Sequence, residues 1–469
     1  MTLRVMLIFP RMKYQTGDPP IGMCSIAANL RKNTNAEISL LDLTFKPSLD
    51  YVKKQINSKK PDIVGIYTDT LMFNDFVKVA KIAKKKGIFV FVGGPHPTVM
   101  PDTVKPYCDM IALGEAEETL REFVNKYPKF ESVKGIIYKK SSKYSKSTKK
   151  NSSKKGAVWI RNPPRPSIEN LDTIEYPAFD LIEMDEYMAR WHPLDAQDPE
   201  ILGTSIIASR GCPYNCSFCQ PTLRALFGDK VRHRSPKHVV GELKQLKKLF
   251  NITGFFLQDD TFNINKAWVK EFCSLVKKEN LVWGCNARVN TLKDIDELRM
   301  MHDAGLRLVH IGVESGSQRI LNDIYRKGIK LSDVPIAINN LKKIGIYSLC
   351  FFMLGAPTET KEEIRKTIRF AVSLNATEIT ATIVTPLPGT KMYDIMKGTY
   401  TLSTDFSQFD YYSTRAFEDE NLTFKELKRY QLELLIRFYV HPKRWSYILK
   451  HFTSIKGLKK MVLKIRRFI

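Results

Sequence analysis

Three closely spaced cysteines are the residues of this chain best suited to chemistry. Within residues 209–220 the pattern C-x-x-x-C-x-x-C places Cys212, Cys216 and Cys219. A thiolate is a soft ligand, and iron–sulfur clusters are normally held by four of them. Three thiolates from one segment would hold a four-iron cluster with one iron open to an outside ligand, much as a catalytic zinc keeps an open position. The segment therefore predicts a 4Fe-4S site.

Other uses of these cysteines are a zinc site, a disulfide or buried structural thiols. Zinc usually takes paired C-x-x-C units and a fourth ligand, and the sequence has no such pair. The remaining five of the eight cysteines are scattered: Cys24, Cys108, Cys273, Cys285 and Cys350. The apolar surroundings of the last three predict core positions. This is not the pattern of a disulfide framework, and it favours a cytoplasmic location.

The cysteine segment resembles the signature of the radical S-adenosylmethionine enzymes. The resemblance implies that the open iron chelates the methionine amino and carboxylate groups of S-adenosyl-L-methionine. It also implies that the reduced cluster cleaves the sulfonium to a 5′-deoxyadenosyl radical, with electrons from an external donor such as ferredoxin or flavodoxin. Phe218, the aromatic residue before the last cysteine, matches the position that lies beside the adenine in that family.

The cysteine segment lies within residues 201–400, whose pattern predicts a domain of alternating strands and helices. Six strand–helix units can be counted there, which are too few for a closed eight-fold barrel. They suit the open six-unit barrel of the radical S-adenosylmethionine family, with active residues at the carboxyl ends of the strands. The predicted strands are Thr204–Ser209, Gly254–Gln258, Val282–Asn286, Leu308–Val313, Tyr347–Leu354 and Glu378–Val384.

Four residues after these strands are candidate ligand contacts. Asp259 begins a D-D-x-F element similar to that of cobalamin-dependent members; a helix-capping turn is the alternative. Arg288 could hold a carboxylate of S-adenosylmethionine or of the substrate, or make a structural ion pair. Glu314 matches the position that contacts the cosubstrate's ribose and methionine portions, and a buried structural carboxylate is its alternative. Gly355 opens a G-x-P-x-E-T turn that shapes the adenine pocket in the family.

The first domain, residues 1–138, alternates apolar strands with helices and predicts a doubly wound parallel sheet. Such sheets bind ligands at the carboxyl ends of their strands. Gly22, Gly93, Gly94 and Gly114 lie near those ends, where bare backbone can approach a flat ligand closely. The predicted fold is thus α/β throughout, with a doubly wound domain before the open barrel.

The ordered motifs D-P-P-I-G, G-G-P-H-P-T and G-E-A-E-E-T resemble the cobalamin-binding domain that precedes many radical S-adenosylmethionine cores. The corrinoid motif D-x-H-x-x-G is absent, so the resemblance implies cobalamin bound without its histidine ligand. His96 is a candidate lining residue, or a packed loop histidine; Glu115 is a candidate contact to the ligand edge, or part of a helix start. A different Rossmann-type ligand is an alternative, although no G-x-G-x-x-G follows the first strand.

The net charge of +25 is concentrated in two segments. One lies in the connector of residues 139–200, where Lys139–Lys155 holds eight lysines and predicts a solvated mobile loop or an anion-docking loop. The other is residues 456–469 of the helical region 401–469, whose pattern fits either a peripheral contact with an anionic membrane or a helix packed on the barrel. Nucleic acid is not an expected partner, and no apolar run reaches membrane-spanning length.

These resemblances imply a cobalamin-dependent radical S-adenosylmethionine enzyme. The leading hypothesis is methylation of an unactivated carbon on a small-molecule or lipid substrate. Radical cyclisation or oxidation of a porphyrin-like or lipid substrate without methyl transfer is the second hypothesis. A non-catalytic cobalamin-binding module is the third, and the intact cysteine trio argues against it.

Overall fold

The computed structural model describes most of the chain. The described residues are 2–13, 15–140, 157–195, 197–219, 221–411, 416–419 and 421–445. The predicted lysine-rich loop beyond residue 140 and the predicted membrane-facing segment 456–469 lie outside the described residues.

The first domain is built on a seven-stranded sheet, whose strands are β1 (Arg4–Phe9), β2 (Glu37–Asp42), β3 (Ile63–Tyr67), β4 (Phe89–Gly93), β5 (Met110–Ala112), β6 (Ile136–Lys139) and β7 (Trp159–Arg161). The strand order is β2-β1-β3-β4-β5-β6-β7. The first five strands pair in parallel, whereas β6 pairs antiparallel with both β5 and β7. The predicted parallel sheet is confirmed, and the antiparallel strands β6 and β7 extend it past residue 138.

Helices cover both faces of this sheet: α1 (Ile21–Asn33), α2 (Leu49–Lys59), α3 (Phe73–Lys85), α4 (Pro95–Val99), α5 (Pro101–Val104) and α6 (Glu117–Lys126). Strand β1 shows how two layers form, because alternate side chains of a strand point to opposite faces. Leu7 and Phe9 join one hydrophobic cluster, while Met6 and Ile8 join the other. Helix α2 was not predicted from the sequence, and only Val52 and Ile56 of it are buried.

The connector ties the two domains together around Trp191, which follows α7 (Met184–Arg190). The indole is 1% exposed and donates from Nε1 to Ser205 Oγ at 3.3 Å. Ser205 in turn donates to Asp18 Oδ1 of the first domain at 2.9 Å. The beginning of the barrel is therefore held against the loop before α1.

The second sheet has six parallel strands in sequential order, from β8 at one edge to β15 at the other. Its strands are β8 (Gly203–Ile206), β11 (Gly254–Leu257), β12 (Val282–Ala287), β13 (Leu306–Glu314), β14 (Tyr347–Leu354) and β15 (Glu378–Ile383), and a small antiparallel pair consists of β9 (Ser209–Arg210) and β10 (Arg232–His233). This is the open six-unit barrel that the sequence predicts.

The helices of the barrel and the C-terminal region are α8 (Pro221–Phe227), α9 (Pro236–Phe250), α10 (Lys266–Val276), α11 (Ile295–Asp303), α12 (Asp333–Ile344), α13 (Lys361–Ser373), α14 (Lys391–Lys397) and α15 (Phe424–Tyr439). Thr423 and Glu426 form a capping box at the start of α15. This helix packs on the edge strand β15, where Gln431 donates to the carbonyl of Ala381 at 2.7 Å. No helix among the described residues is long and apolar enough to cross a membrane.

Candidate active site

A cavity of about 470 Å³ lies where the carboxyl ends of both sheets face one another. Its first-domain wall comes from the ends of β1, β3 and β4 and the start of α1. Its barrel wall comes from the segment after β8 and from Gln258, Asp259 and Asp260 after β11. The carboxyl ends of parallel strands are where such sheets bind ligands, so this shared cavity is the candidate active site.

The four predicted glycines all line this cavity. A Cβ added at Gly22 would meet nothing within 4 Å, and one at Gly93 would make only ordinary contacts at 3.7 Å. Gly94 and Gly114 have φ values of +110° and +67°, which L side chains rarely adopt. The wall is therefore bare backbone, as a flat ligand that approaches it closely would require.

The structure corrects the placement of His96, which does not line the cavity. Its ring is fully buried, and its nitrogens lie 3.2 Å from Thr70 Oγ1 and 2.9 Å from Thr103 Oγ1. The ring also packs against Phe73 and Phe406, with centroid distances of 5.0 and 4.6 Å. Burial lowers the pKa of His96 to about 4, so it is a neutral core histidine. The alternative interpretation, a packed loop histidine, describes it.

Glu115 lines the cavity, but its carboxylate forms ion pairs with two arginines of the barrel. Its carboxylate accepts from Arg210 at 2.9 Å and from Arg232 at 2.9 Å, and Arg210 also donates to Glu117 at 2.6 Å. All four side chains are at most 14% exposed. These residues form a buried interdomain charge cluster, two carboxylates with two guanidinium groups. Glu115 directly precedes the N-cap residue of α6, which begins at Glu117, and its predicted contact to the ligand edge stays a prediction.

Asp259 holds the beginning of the cysteine segment. Its carboxylate accepts from the Ala208 backbone N–H and from the Ser209 hydroxyl, both at 2.7 Å. Burial raises the pKa of Asp259 to about 6. The neighbouring Asp260 also lines the cavity, and burial together with Asp259 raises its pKa to about 7. Asp259 thus positions the loop, and Asp260 is the carboxyl group better placed to meet a ligand.

The cysteine segment leaves the cavity wall after Arg210. Cys212 is buried, Cys216 half-buried and Cys219 exposed. Burial raises the pKa of Cys212, and the charges of Asp260 and Cys216 add to that effect, so the thiols are electrostatic neighbours. They do not form a closed ligand set: in the part of the chain described, no three His, Cys, Asp or Glu side chains are arranged to hold a metal ion.

Arg288 lies against the cysteine segment and not against a carboxylate. Its Nη1 donates to Cys216 Sγ at 3.6 Å, and its Nη2 donates to the carbonyl of Lys327. The guanidinium carbon lies 3.6 Å from the ring centroid of Tyr214. Its Nε is buried and has no partner among the described residues. The predicted structural ion pair is wrong for the described residues, because none of these partners is a carboxylate. The other predicted role, binding of a ligand carboxylate, stays a prediction.

Glu314 ends β13 in an unusual conformation, with φ at +70°. Its carboxylate accepts from Lys327 Nζ at 2.6 Å, and both side chains are less than 10% exposed. A Cβ at Gly312 would lie 2.2 Å from Glu314 Oε1, so this glycine is what leaves room for the pair. Phe218 lies beside the same lysine, whose Nζ is 5.6 Å from the ring centroid. The cosubstrate contacts of Glu314 and Phe218 stay predictions.

Gly355 follows β14 with φ at +85°, and its N–H donates to Glu359 Oε2 at 2.7 Å. The same oxygen accepts from Ala356 N–H at 3.1 Å. Burial raises the pKa of Glu359 to about 7. Glu359 therefore fixes the turn, whereas Thr360 caps the helix that follows. The turn is rigid backbone, as a role in shaping a pocket would require.

Sequence reasoning missed three functional candidates: Arg210, Arg232 and Lys327. Arg210 stands directly before the Gly-Cys of the cysteine motif, which is the one local signal that could have drawn attention to it. The partners of Arg210 and Arg232 are 93 to 117 residues away in the sequence. Lys327 lies on a loop with no motif of its own, so only the folded chain shows that it meets Glu314.

Comparisons with known proteins agree with this geometry. The radical SAM superfamily matches residues 206–371, and the B12 binding domain matches residues 14–124. An uncharacterized methyltransferase of Pyrococcus horikoshii is 33% identical over 464 residues, covering 94% of this chain and 93% of the relative. An anaerobic magnesium-protoporphyrin IX monomethyl ester cyclase of Rubrivivax gelatinosus is 29% identical over 415 residues, covering 83% and 69%.

One solved structure shows the same fold over most of its length. The radical S-adenosylmethionine methyltransferase TsrM from Kitasatospora setae, with cobalamin and a 4Fe-4S cluster bound, superimposes with a TM-score of 0.68 at 18% identity. The match covers 86% of this chain and 76% of that one.

Proposed function

This chain belongs to the radical S-adenosylmethionine enzymes that carry a B12-binding domain, and we propose that it methylates an unactivated carbon. The observation that carries the proposal is the shared cavity, in which the strand ends of both domains face one space. When bound, the cluster with S-adenosylmethionine would supply a radical, and cobalamin would supply the methyl group. The residues of the chain would position these two groups, because the radical and the methyl group must meet at one substrate carbon.

The first-domain wall fits cobalamin. Gly22 and Gly93 leave the wall open, and Phe9, Tyr67 and Pro19 give it apolar surface. A corrin is a broad flat ring, so a bare backbone face suits it. Since His96 is buried with both ring nitrogens already facing threonine hydroxyls, this chain would hold cobalamin without a histidine ligand from that position.

The cysteine segment fits a cluster by its donor chemistry. Cys212, Cys216 and Cys219 supply three thiolates, the ligands that iron–sulfur clusters take. Ligation requires the thiols to lose their protons. The Arg288 guanidinium donates to Cys216 Sγ at 3.6 Å, so it lies beside this part of the segment. Glu314 and the turn at Gly355 lie at neighbouring strand ends, where they would orient S-adenosylmethionine.

The proposed reaction needs an electron donor and a substrate. The half-reaction at the cluster consumes an electron, so we infer an external donor such as ferredoxin or flavodoxin. The substrate is a small molecule or a lipid. All eight cysteines are free, which supports a reducing cytoplasmic location.

The test is anaerobic reconstitution of the purified chain with S-adenosylmethionine labelled in its methyl group. We expect about four irons per chain, formation of 5′-deoxyadenosine, and label in the product. The triple variant C212A/C216A/C219A should lose iron and 5′-deoxyadenosine together. C273A is the matched control, because that buried cysteine lies outside the motif. Unchanged 5′-deoxyadenosine formation in the triple variant would refute the assignment.

A second candidate is radical cyclisation or oxidation without methyl transfer. The similarity to the Rubrivivax cyclase over 83% of this chain is the observation that favours it. The same labelled experiment separates the two: 5′-deoxyadenosine without label in any product would favour cyclisation. Comparing lipids and metabolites of a deletion strain with those of its parent would supply the substrate for that assay.

A further inference from the structure

The exposed apolar side chains of this protein are not scattered evenly. Nine large apolar residues are exposed among the described residues, and four of them lie within residues 432–445. These four define the apolar stripe: Leu432, Ile436, Val440 and Trp445, each 51–63% exposed. Contiguous exposed apolar surface of this kind marks an interaction site more often than isolated residues do.

The stripe lies on the face of α15 that points away from the barrel. Residues four apart share a helix face, so Leu432, Ile436 and Val440 line one side. The opposite side buries Leu427, Leu434 and Phe438 against the sheet. Trp445 continues the stripe past the helix end, because its Nε1 donates to the Val440 carbonyl at 3.0 Å.

A basic pocket of about 290 Å³ adjoins the end of the stripe. It lies at the amino ends of β14 and β15, whereas the cysteine segment and Glu314 lie at the carboxyl ends of the barrel strands. Its charged lining is Lys342, Lys443 and Arg444, and no acidic residue in the described part of the chain lines it. The pocket is therefore a separate feature from the active-site cavity.

Arg444 shows that the pocket is built to receive an anion. This residue is 4% exposed, and its guanidinium carbon lies 4.3 Å from the Phe438 ring centroid. One nitrogen donates to the Leu374 carbonyl, while Nε is buried without a partner among the described residues. A guanidinium offers five N–H donors in a fork that matches phosphate oxygens, and Arg444 lines this pocket together with two lysines, so the lining suits a phosphate.

We propose that the apolar stripe and the basic pocket together dock this protein on an anionic phospholipid membrane surface. The stripe would enter the headgroup boundary, and lipid phosphates would lie at Lys342, Lys443 and Arg444. Charge supports this occupant: residues 424–445 hold six Lys or Arg and two Glu, and one of those acids, Glu433, is paired with Arg437 at 3.1 Å. Interfacial helices combine an apolar face with basic residues in this way.

Co-sedimentation of the full chain with vesicles tests the proposal. We expect binding to phosphatidylcholine vesicles that contain phosphatidylglycerol, and little binding to phosphatidylcholine alone. I436S/V440S should bind at least tenfold more weakly, and K342Q/K443Q should weaken binding severalfold for each lysine. L249S is the matched control, since Leu249 is 54% exposed on another helix. Brominated lipids should quench tryptophan fluorescence in the native chain and much less in W445F.

Four results would overturn the proposal. The first is equal binding to neutral and anionic vesicles, or no binding to either. The second is unchanged binding of I436S/V440S while K459Q/K460Q/K464Q abolishes it, which would move the site to residues 456–469. The third is a lipid-free dimer that I436S/V440S dissociates. The fourth is stabilisation by inorganic phosphate without vesicle binding, which would make the pocket a site for a free anion.

Discussion

Replacing Arg210 with methionine should destabilise the folded chain by about 4 kcal/mol at pH 8. Arg210 makes two charge-assisted hydrogen bonds, at 2.9 Å to Glu115 and 2.6 Å to Glu117. Hydrogen bonds to charged groups contribute about 1.5–3 kcal/mol each, and removing one member of a buried ion pair costs about 3–5 kcal/mol. The two routes agree on the magnitude.

The cost should depend on pH because of Glu117. Burial opposes ionisation of Glu117, but Arg210, together with the Glu117 N–H and the Ser25 hydroxyl, holds its pKa below the ordinary value of 4.5. In the native chain this stabilisation is present above pH 4.5 and is lost as the pH falls through the lowered pKa. Without Arg210, burial would raise the pKa of Glu117, and the penalty would grow as the pH rises. Glu115 keeps Arg232 as its partner, so it contributes less to this change.

Urea unfolding of the cluster-free chain at pH 5.5 and pH 8, followed by circular dichroism, measures both effects. The deficit of R210M should be smaller at pH 5.5 than at pH 8, and the double variant E117Q/R210M should recover about 2 kcal/mol of it at pH 8. R31M is the matched control: Arg31 pairs with Asp180 in a similar two-bond geometry, at 2.6 and 3.1 Å, but both side chains are about half exposed. Exposed pairs contribute about 0–1 kcal/mol.

The reasoning would be refuted if R210M and R31M lost similar stability at pH 8. It would also be refuted if R210M showed the same deficit at both pH values, since Glu117 would then not be left with an uncompensated charge.

Three further predictions concern single positions. G312A should destabilise the chain by about 1–3 kcal/mol and weaken S-adenosylmethionine binding in calorimetry, because its Cβ would displace the carboxylate of Glu314. G93A, with room for a Cβ, should cost under about 1 kcal/mol. G22F should lower cobalamin retained after gel filtration without loss of thermal stability, because its side chain would enter the open cavity. The pKa of Glu359 is raised to about 7, so native stability should fall as the pH rises from 4.5 to 7, and E359Q should flatten that fall in urea titrations.

Most of the fold could be predicted from local sequence patterns, because helices and strands are specified largely by residues that are neighbours in the chain. Strand β14 has the predicted bounds, since an apolar run defines it. Helix α2 was missed because its segment is rich in lysine and buries only two side chains. The sequence placed the strand-end glycines correctly, because strand ends follow from strand bounds.

Side-chain partners could not be predicted in the same way. His96 shares its motif with glycines that line the cavity, but a helical turn at Pro95–Val99 carries its ring into the core, where Phe406 from the C-terminal region packs on it. Glu115 was predicted as part of a helix start, and α6 does begin at Glu117, but the sequence did not show which groups pair with Glu115. Its ion-pair partners are two arginines of the barrel. Because the site is buried, these arginines, and not water, offset the charge of the carboxylate.

The cysteine segment is held in place from several directions, and this explains why the two domains need a fixed relation. Asp259 at the end of β11 holds Ala208 and Ser209, while Glu115 and Glu117 of the first domain hold Arg210. Farther along, the backbone of Ser217 bonds to Tyr325 and Met392, each at 2.9 Å. A shift of the first domain would therefore pull on the chain two residues before Cys212. The interdomain charge cluster thus couples the position of the cavity's glycine wall to that of the cysteine segment. The proposed methyl transfer from cobalamin to a substrate radical would require this fixed relation.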